Sequence, residues 1–174
     1  MTSILKVDQL QDSGGNAIIT SNGSGTITAG AVTNKPAFRA TMSADQTVPT
    51  TTWTKMNFNT VEYDTHSGFD TSNYRYTIPT GYGGKYLFTS SSNFYLDDIR
   101  SITVALYVNG SRREFGRSQV ESASSNSFTA VTATFIVTLS AGDYVESYTL
   151  HANGNDRGLN KNYPEFTGHR LIGV

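Results

Sequence analysis

The side chains that most often do chemistry in enzymes occur here without the spacing that catalysis needs. The serine in NGSGT (22–26) lacks the Gly-x-Ser-x-Gly pattern of a serine nucleophile, and the segment is typical of a turn. The histidines His66, His151 and His169 match no zinc-ligand spacing. GYGGK (81–85) precedes a predicted strand rather than the helix of a phosphate-binding loop, and no acidic pair has a spacing that singles it out as a glycosidase site. We therefore predict that the protein is not an enzyme and has no cofactor or metal ligand set.

One segment near the C-terminal end has the composition of a recognition surface. Residues 151–162, HANGNDRGLNKN, are rich in Asn and Gly and carry both signs of charge. Amide and charged side chains on a rigid scaffold suit the recognition of glycans or other polar surfaces, and they equally suit an ordinary solvated loop. The candidate residues in this segment are Asn153, Asn155, Asp156, Arg157 and Asn160.

The composition predicts strands joined by tight turns. The chain has 174 residues, enough for one domain and an appendage, and Thr, Ser, Gly, Tyr and Phe are plentiful. A formal net charge of −1 gives no electrostatic reason to bind nucleic acid or an acidic membrane. The apolar residues before Asp8 are too few for a signal peptide, and no apolar run has the length of a membrane span. We expect no nucleic-acid or membrane partner and no secretion route of its own.

Alternation of period two recurs from residue 35 onward. The predicted strands are 36–43, 58–64, 74–79, 84–95, 102–108, 128–139, a strand entered at Val145, and 165–174. The pattern places Tyr86, Phe88 and Phe94 on one side of their strand, and Val61 and Tyr63 together on one face of another. Asn109-Gly110 predicts a type I′ hairpin turn, and Gly142-Asp143 predicts a second turn. Many short strands with polar turns indicate an all-β sandwich or barrel.

The ordered set of these pieces carries a family resemblance. The residues concerned are Phe38-Arg39-Ala40, Phe58, Val61, Tyr63-Asp64, Pro79, the GKYLF segment 84–88, Val104, Leu106, Asn109-Gly110, the AGDYV segment 141–145, Phe166-Thr167-Gly168 and Leu171. In this order, residues 35–174 resemble the globular head of complement component one, subcomponent q, and its tumour-necrosis-factor-like relatives. The collagen-like stalk of the animal members is missing, and the short segment 1–34 takes its place.

The resemblance implies an antiparallel jelly-roll sandwich of about ten strands that assembles as a compact homotrimer with both termini at its base. The aromatic residues agree, because they exceed what a single sandwich core must bury and a trimer axis would cover the surplus. The aromatics assigned to the core or the trimer contact are Phe38, Tyr63, Tyr86, Phe88, Phe135 and Phe166.

The family's topology also places the 151–162 loop at the end away from the termini, beside the loops near 96–100 and 119–127. Some relatives bind calcium near the trimer apex, and Asp97 and Asp98 could contribute oxygen ligands there. A polar turn between strands explains this pair equally well. Both aspartates therefore join the candidate recognition residues, without a metal being predicted.

Residues 1–34 are expected to form a separate arm, and residues 35–174 the head. ILKV, AIIT and TITAGAV are β-prone but too short to bury their apolar faces, so the arm is either a linker or ordered against other chains. ILKVDQLQDSGGNAII (4–19) resembles the opening of structural proteins of tailed bacteriophages, especially those of marine cyanobacteria. The resemblance implies a virion protein, which leaves its host by lysis.

These observations favour a virion structural protein, a trimeric tail-fibre or adhesin-type module that displays its head for host attachment. A capsid-decoration trimer, as a head fibre or cement protein, is the alternative, and a secreted ligand of the same fold comes third because no secretion signal is visible. The expected partners are two further copies of the chain, other virion proteins bound through residues 1–34, and a glycan or protein of the host surface.

Overall fold

The computed structural model describes residues 7–28, 35–96, 101–118, 127–152 and 154–171. The candidate residues Asp97, Asp98 and Asn153 lie outside these ranges. Within them every regular element is a strand, and all strand pairs are antiparallel. The all-β prediction is therefore confirmed. No helix in the described part of the chain is long and apolar enough to cross a membrane.

The strands are, in chain order, β1 (Gln9–Gln11), β2 (Ala17–Ser21), β3 (Ile27–Thr28), β4 (Ala37–Thr41), β5 (Gln46–Val48), β6 (Thr54–Lys55), β7 (Thr60–Asp64), β8 (Phe69–Asp70), β9 (Arg75–Thr77), β10 (Gly84–Leu96), β11 (Ile102–Val108), β12 (Ser111–Ser118), β13 (Ser127–Leu139), β14 (Tyr144–His151), β15 (Arg157–Leu159) and β16 (Glu165–Arg170).

The head consists of two sheets packed face to face. The seven-stranded sheet has the order β5-β15-β10-β16-β4-β7, with β13 paired to the other edge of β10. The six-stranded sheet has the order β12-β11-β14-β9-β8, with β6 also paired to β14. The arm strands β1, β2 and β3 form a small sheet of their own.

Strand β10 organises the seven-stranded sheet because its period-two pattern runs for 13 residues. Tyr86, Phe88 and Phe94 all point into the core, as the alternation predicts. Every residue of β10 pairs with a residue of β13, whose buried and exposed residues also alternate. The predicted bounds of these two strands, 84–95 and 128–139, agree with the structure to within one residue.

The core between the sheets is rich in aromatic rings. Phe38 stacks on Tyr76 with ring centroids 4.3 Å apart and meets Phe166 edge-on at 5.1 Å. Of the aromatics assigned to the core or the trimer contact, Phe38, Tyr86, Phe88, Phe135 and Phe166 are buried in a single chain. Full burial of one such side chain stabilises the fold by roughly 1.5–3 kcal/mol.

The buried tyrosine of this set, Tyr86, keeps its hydroxyl satisfied. The hydroxyl donates a hydrogen bond to the carbonyl oxygen of Tyr82 at 2.6 Å. Burial raises the pKa of Tyr86 to about 12, so the neutral phenol is the form that the core holds.

The prediction that Val61 and Tyr63 share a face is wrong. A β-bulge opposite Arg39 and Ala40 adds a residue to β7, so Ala40 pairs with Val61 while Arg39 pairs with Tyr63. Val61 packs against the core, whereas Tyr63 is 49% exposed on the other face of the sheet.

The described part of the head has thirteen strands where the sequence predicts about ten. The strands absent from the prediction include β5, β6, β8 and β15, which are two or three residues long and too short to show a period. Strand β12 is also additional to the predicted set. Strand β15 corrects the expectation of a continuous loop over 151–162.

Hydrogen bonds define the two ends of the sandwich. At one end, which we call the proximal end, Arg170 N donates to Pro36 O at 3.1 Å, so the head's first and last described segments meet there. The turns at Asn109-Gly110 and Gly142-Asp143 lie at the same end. Residues 152 and 154–156 follow the opposite end of β14, which is the distal end.

Candidate interaction surface

Two of the predicted recognition residues are exposed at the distal end. Asn155 and Asp156 lie in the bend between β14 and β15. The Oδ1 atom of Asp156 accepts a hydrogen bond from Thr50 N at 3.2 Å, which ties this bend to the segment after β5. These side chains are available for contact with a polar partner.

The other described residues of this set belong to the framework of the sheet. Asn160 is only 8% exposed, so its assignment to an exposed recognition surface is wrong. Its backbone N donates to Asn93 O at 2.8 Å, and its Oδ1 accepts from Asn162 N at 2.9 Å. Arg157 is half-buried at the start of β15, where it pairs with Val48. The prediction failed because the polar composition of residues 151–162 gives no sign of strand β15.

No group of acidic residues, histidines or cysteines in the described ranges is arranged to hold a metal ion. His151 is fully buried, and its Nε2 lies 2.9 Å from Val48 O. Since a carbonyl oxygen only accepts, this nitrogen carries the proton. His66 instead contacts the Thr65 hydroxyl at 2.9 Å through Nδ1 and packs edge-on against Tyr82. His151 and His66 are thus held by hydrogen bonds and packing contacts within the chain.

An exposed aromatic cluster lies on the seven-stranded sheet, on the face that points away from the core. Tyr95, Phe128 and Tyr163 are 56%, 45% and 60% exposed. The rings of Tyr95 and Phe128 are 4.4 Å apart, and those of Phe128 and Tyr163 are 6.1 Å apart. Ser91 holds the Tyr163 segment in place, because its hydroxyl donates to Tyr163 O and accepts from Glu165 N. The three rings therefore form an ordered apolar surface near the distal end.

The same outward face continues toward the proximal end without a charged residue on β13. The hydroxyls of Thr89 and Thr134 lie 3.3 Å apart at its middle, and Ile136 beyond them is 60% exposed. A strand at the edge of a sheet with this composition is an association site unless something covers it. We refer to the surface formed by Tyr95, Phe128, Ile136 and Tyr163 as the aromatic face.

Strands β4, β7 and β16 form the charged flank of this face. Arg39 forms ion pairs with Glu62 at 2.9 Å and with Glu165 at 3.0 Å. Tyr63 lies opposite Arg39 on the same side of the sheet. All three charged side chains are about 40% exposed, so the pairs contribute little stability in water.

A groove of about 430 Å³ lies at the proximal side of the aromatic face. Ile136 and Leu139 supply apolar lining, while Arg113 and Asp143 supply opposite charges. Its lining comes from the edge strand of one sheet and from the hairpin turns of the other. It extends the surface that a second chain could contact.

Described side chains on the outward face of the six-stranded sheet pack against one another. Tyr107 and Tyr148 stack with centroids 3.9 Å apart, Trp53 meets Tyr107 at 6.3 Å, and the Arg112 guanidinium lies 5.1 Å above Trp53. Burial raises the pKa of both tyrosines. Each of these rings is half-buried, and Ala105, which lies opposite Tyr148 in the sheet, is fully buried. The described aromatic rings of the two outward faces therefore differ in exposure: those of the six-stranded sheet are half-buried, whereas Tyr95, Phe128 and Tyr163 are at least 45% exposed.

Comparison with known proteins shows what this architecture is similar to. The globular domain of zebrafish complement 1qA protein matches with a TM-score of 0.55 and 17% identity, over 80% of this chain and 98% of that chain. Eiger TNF from S. frugiperda matches with a TM-score of 0.59 and 14% identity, over 79% and 93% of the two chains. The fold is a complement-q and tumour-necrosis-factor-like jelly roll.

Murine APRIL is similar as well, with a TM-score of 0.57 and 12% identity, over 78% of this chain and 98% of that one. No protein-family model matches the chain, and no curated protein does. Identities this low establish the fold alone. The fold resemblance inferred from the sequence is confirmed, and the role of the protein has to be argued from its own surface.

Sequence reasoning missed the residues of the aromatic face, although strand alternation carried a signal for three of them, including Ile136, which follows the core residue Phe135. Tyr95 follows the core residue Phe94, so alternation places it on the opposite face, and register places Phe128 beside it. Tyr163 had no such signal. It lies in the turn before β16, and only the tertiary fold brings it to Phe128.

Proposed function

We propose that the protein is a homotrimer in which the aromatic face is the subunit contact. The observation that carries this proposal is the contrast between the two outward faces. Tyr95, Phe128, Ile136 and Tyr163 are all at least 45% exposed in one chain. Exposed large apolar side chains gathered on one face of a sheet mark an association site in soluble proteins. Association with two further copies removes the aromatic face from water. The family resemblance of the sequence also implies a homotrimer.

We further propose that this trimer is a structural protein of a virion, with the arm at residues 1–34 toward the particle and the head directed outward. The support is the phage-like opening of the sequence and the position of the arm's attachment. Pro36 lies at the proximal end, so the distal loops point away from the arm's point of entry. A tail-fibre or adhesin role fits this arrangement best. A capsid-decoration trimer, with the same arm toward the particle and the same head directed outward, is the second candidate.

In the adhesin role, recognition of a host-surface glycan or protein falls to the distal end. Asn155 and Asp156 are exposed there beside the segment around Thr50. Three equivalent weak sites per trimer, repeated over several trimers, raise the effective affinity by roughly 10²-fold or more without a strong single contact. The proposed localisation is therefore the virion, and the recognition site is a polar rim rather than a deep pocket.

The test has two parts: the first measures assembly, and the second locates the protein in the virus particle. Native mass spectrometry of the full chain is expected to give the mass of three chains; a monomer at all concentrations removes the trimer. Gold-labelled antibody against the head, applied to purified phage particles that carry the gene, is expected to mark the tail. Label on the capsid selects the decoration role instead. Absence of the protein from particles overturns both virion roles but leaves the trimer intact.

A further inference from the structure

The sequence Asn-Gly-Ser occurs in an exposed turn of the arm, at 22–24, and in an exposed turn of the head, at 109–111. An Asn-Gly pair reacts with itself in water, because glycine has no Cβ to keep its backbone nitrogen away from the preceding side-chain amide. Since the two tripeptides are identical, a difference in their reactivity has to come from the structure around them.

The reaction needs water and no enzyme. The glycine nitrogen attacks Cγ of the asparagine and gives up its proton, the Cγ–Nδ2 bond breaks, and ammonia leaves with that proton. Water then opens the resulting succinimide ring to aspartate or to isoaspartate. One amide and one water thus become one carboxylic acid and one ammonia. Because Cγ has to move onto the glycine nitrogen, hydrogen bonds that hold the side-chain amide elsewhere slow the first step.

Both ends of the Asn109 amide are held at the proximal end of the head. Its Nδ2 donates to Asp143 Oδ1 at 2.8 Å, and its Oδ1 accepts from Tyr144 N at 3.0 Å. The backbone N of Asn109 also donates to Tyr144 O at 3.0 Å. The two side-chain bonds have to break before Cγ meets Gly110 N, and the bond to the Asp143 carboxylate is of the stronger, charge-assisted kind.

The Asn22 amide is held at one end. Its Oδ1 accepts from Ser24 N at 2.8 Å and from Thr26 N at 3.1 Å, while Nδ2, the leaving nitrogen, has no hydrogen-bond partner among the described residues. No side chain over residues 7–26 is buried. A sheet of three short strands without a core is marginally stable and opens at little cost in free energy. The Asn22 amide is therefore released far more often than that of Asn109.

We propose that Asn22 is a site of spontaneous deamidation and that Asp143 protects Asn109 from the same reaction. At Asn22 the product adds a negative charge to the turn between β2 and β3, and its isoaspartate form also lengthens the backbone there. At Asn109 the product would place a second carboxylate beside that of Asp143, where like charges repel. The arm thus changes chemically with age while the proximal end of the head is preserved. The inference is independent of the proposed trimer and of the virion role.

The experiment follows both sites in one sample. The purified full chain is incubated at mildly alkaline pH, and peptides containing residue 22 or residue 109 are separated and measured by mass spectrometry over time. An unincubated sample corrects for reaction during digestion, and the Asn22→Asp and Asn109→Asp variants supply authentic aspartyl peptides. We expect Asn22 to react at least about tenfold faster than Asn109 in the folded protein, because more hydrogen bonding has to break at Asn109. In denaturant the two rates are expected to be similar.

Two substitutions at one position test the protection. Asp143→Ala removes the acceptor of Asn109 Nδ2 and is expected to raise the rate at Asn109 by about tenfold, with no change at Asn22. Asp143→Asn is the matched control, because it keeps an oxygen at Oδ1, and it is expected to give a smaller increase.

Circular dichroism checks that these variants are folded. Equal rates at Asn22 and Asn109 in the folded wild-type protein overturn the inference, and so does an Asn22 that reacts only in denaturant. A folded Asp143→Ala variant in which Asn109 reacts no faster overturns the role of Asp143. If that variant does not fold, the wild-type comparison and Asp143→Asn still decide: an Asn109 rate under Asp143→Asn as high as in denaturant contradicts the retained bond.

Discussion

At the scale of single residues, Asp143 shows how one side chain joins two parts of the fold. Its Oδ2 accepts a hydrogen bond from Ser140 N at 2.7 Å, which closes its own turn. Its Oδ1 accepts from Asn109 Nδ2 at 2.8 Å, and Asn109 Oδ1 accepts in turn from Tyr144 N. Asn109 and Gly110 have φ values of 51° and 75°, so the predicted type I′ turn is confirmed. Asp143 therefore holds both turns of the proximal end together.

We predict that Asp143→Asn lowers the Tm at pH 7 by about 2–4 °C, because the amide replaces the oxygen that accepts from Ser140 N. The hydrogen bonds from Asn109 and then Ser140 lower the pKa of Asp143 below 3.8. Its stabilisation is therefore complete above that ordinary value and is lost as the pH falls through the lowered value in the folded protein. Thermal scans at fixed protein concentration are expected to show the two proteins converging below pH 3.8. A difference that is constant at every pH contradicts the prediction.

At the scale of elements, β15 turns a predicted loop into part of the sheet. It pairs with β5 on one side and contacts β10 at Phe94 on the other. Leu159, its last residue, is fully buried with Val48 in the core. The 151–162 segment thus has two parts, an exposed bend and a structural strand, and only the first is available for recognition.

This division predicts a sharp contrast between two alanine substitutions in one segment. Leu159→Ala is expected to lower the free energy of unfolding by about 2–5 kcal/mol, because it leaves a cavity in the core. Asn155→Ala is expected to change it by less than about 0.5 kcal/mol, because the residue is exposed in the bend. Denaturant titrations of both variants at one protein concentration measure these values. Equal effects would show that the segment behaves as a single loop.

At the scale of the whole molecule, the two sheets differ in how far the aromatic side chains on their outward faces are exposed. On the six-stranded sheet, Trp53, Tyr107 and Tyr148 pack against one another and are half-buried, so we expect that side of a head to face solvent. The seven-stranded sheet leaves the aromatic face open and is expected to face its neighbours. The long edge strand β13, without a charge or proline over Ser127–Leu139, is consistent with an edge that other subunits cover.

We predict that Tyr95→Arg and Phe128→Arg each shift the trimer toward single chains by at least about tenfold in the dissociation constant, equivalent to about 1.4 kcal/mol. Each substitution places like charges near a buried contact three times per assembly. The control is Ser111→Arg, at an exposed position of the six-stranded sheet. Light scattering over a dilution series measures the masses, and circular dichroism checks that the heads remain folded. A trimer that tolerates all three substitutions places the contact elsewhere.

The alternation of side chains and the turn residues were sufficient to predict much of the fold from sequence. They placed β10, β11 and β13, the buried Phe38, Phe88 and Phe166, and the turn at Asn109-Gly110. These features depend on residues that are close in the chain. The period of two reveals the strands and their buried faces, and the preference of Asn-Gly for positive φ reveals the turn. The bulge in β7 was invisible because one added residue reverses a face without changing the composition.

What the sequence alone determined is which residues are apolar, which strands alternate and where the chain turns, because these properties are local. The tertiary structure decided which apolar residues stay uncovered. Trp53 packs against Tyr107 on the six-stranded sheet, whereas Tyr95, Phe128 and Tyr163 contact one another and stay at least 45% exposed within the described part of the chain. That outcome depends on contacts between residues far apart in the chain, and such contacts exist only once the sheets have packed.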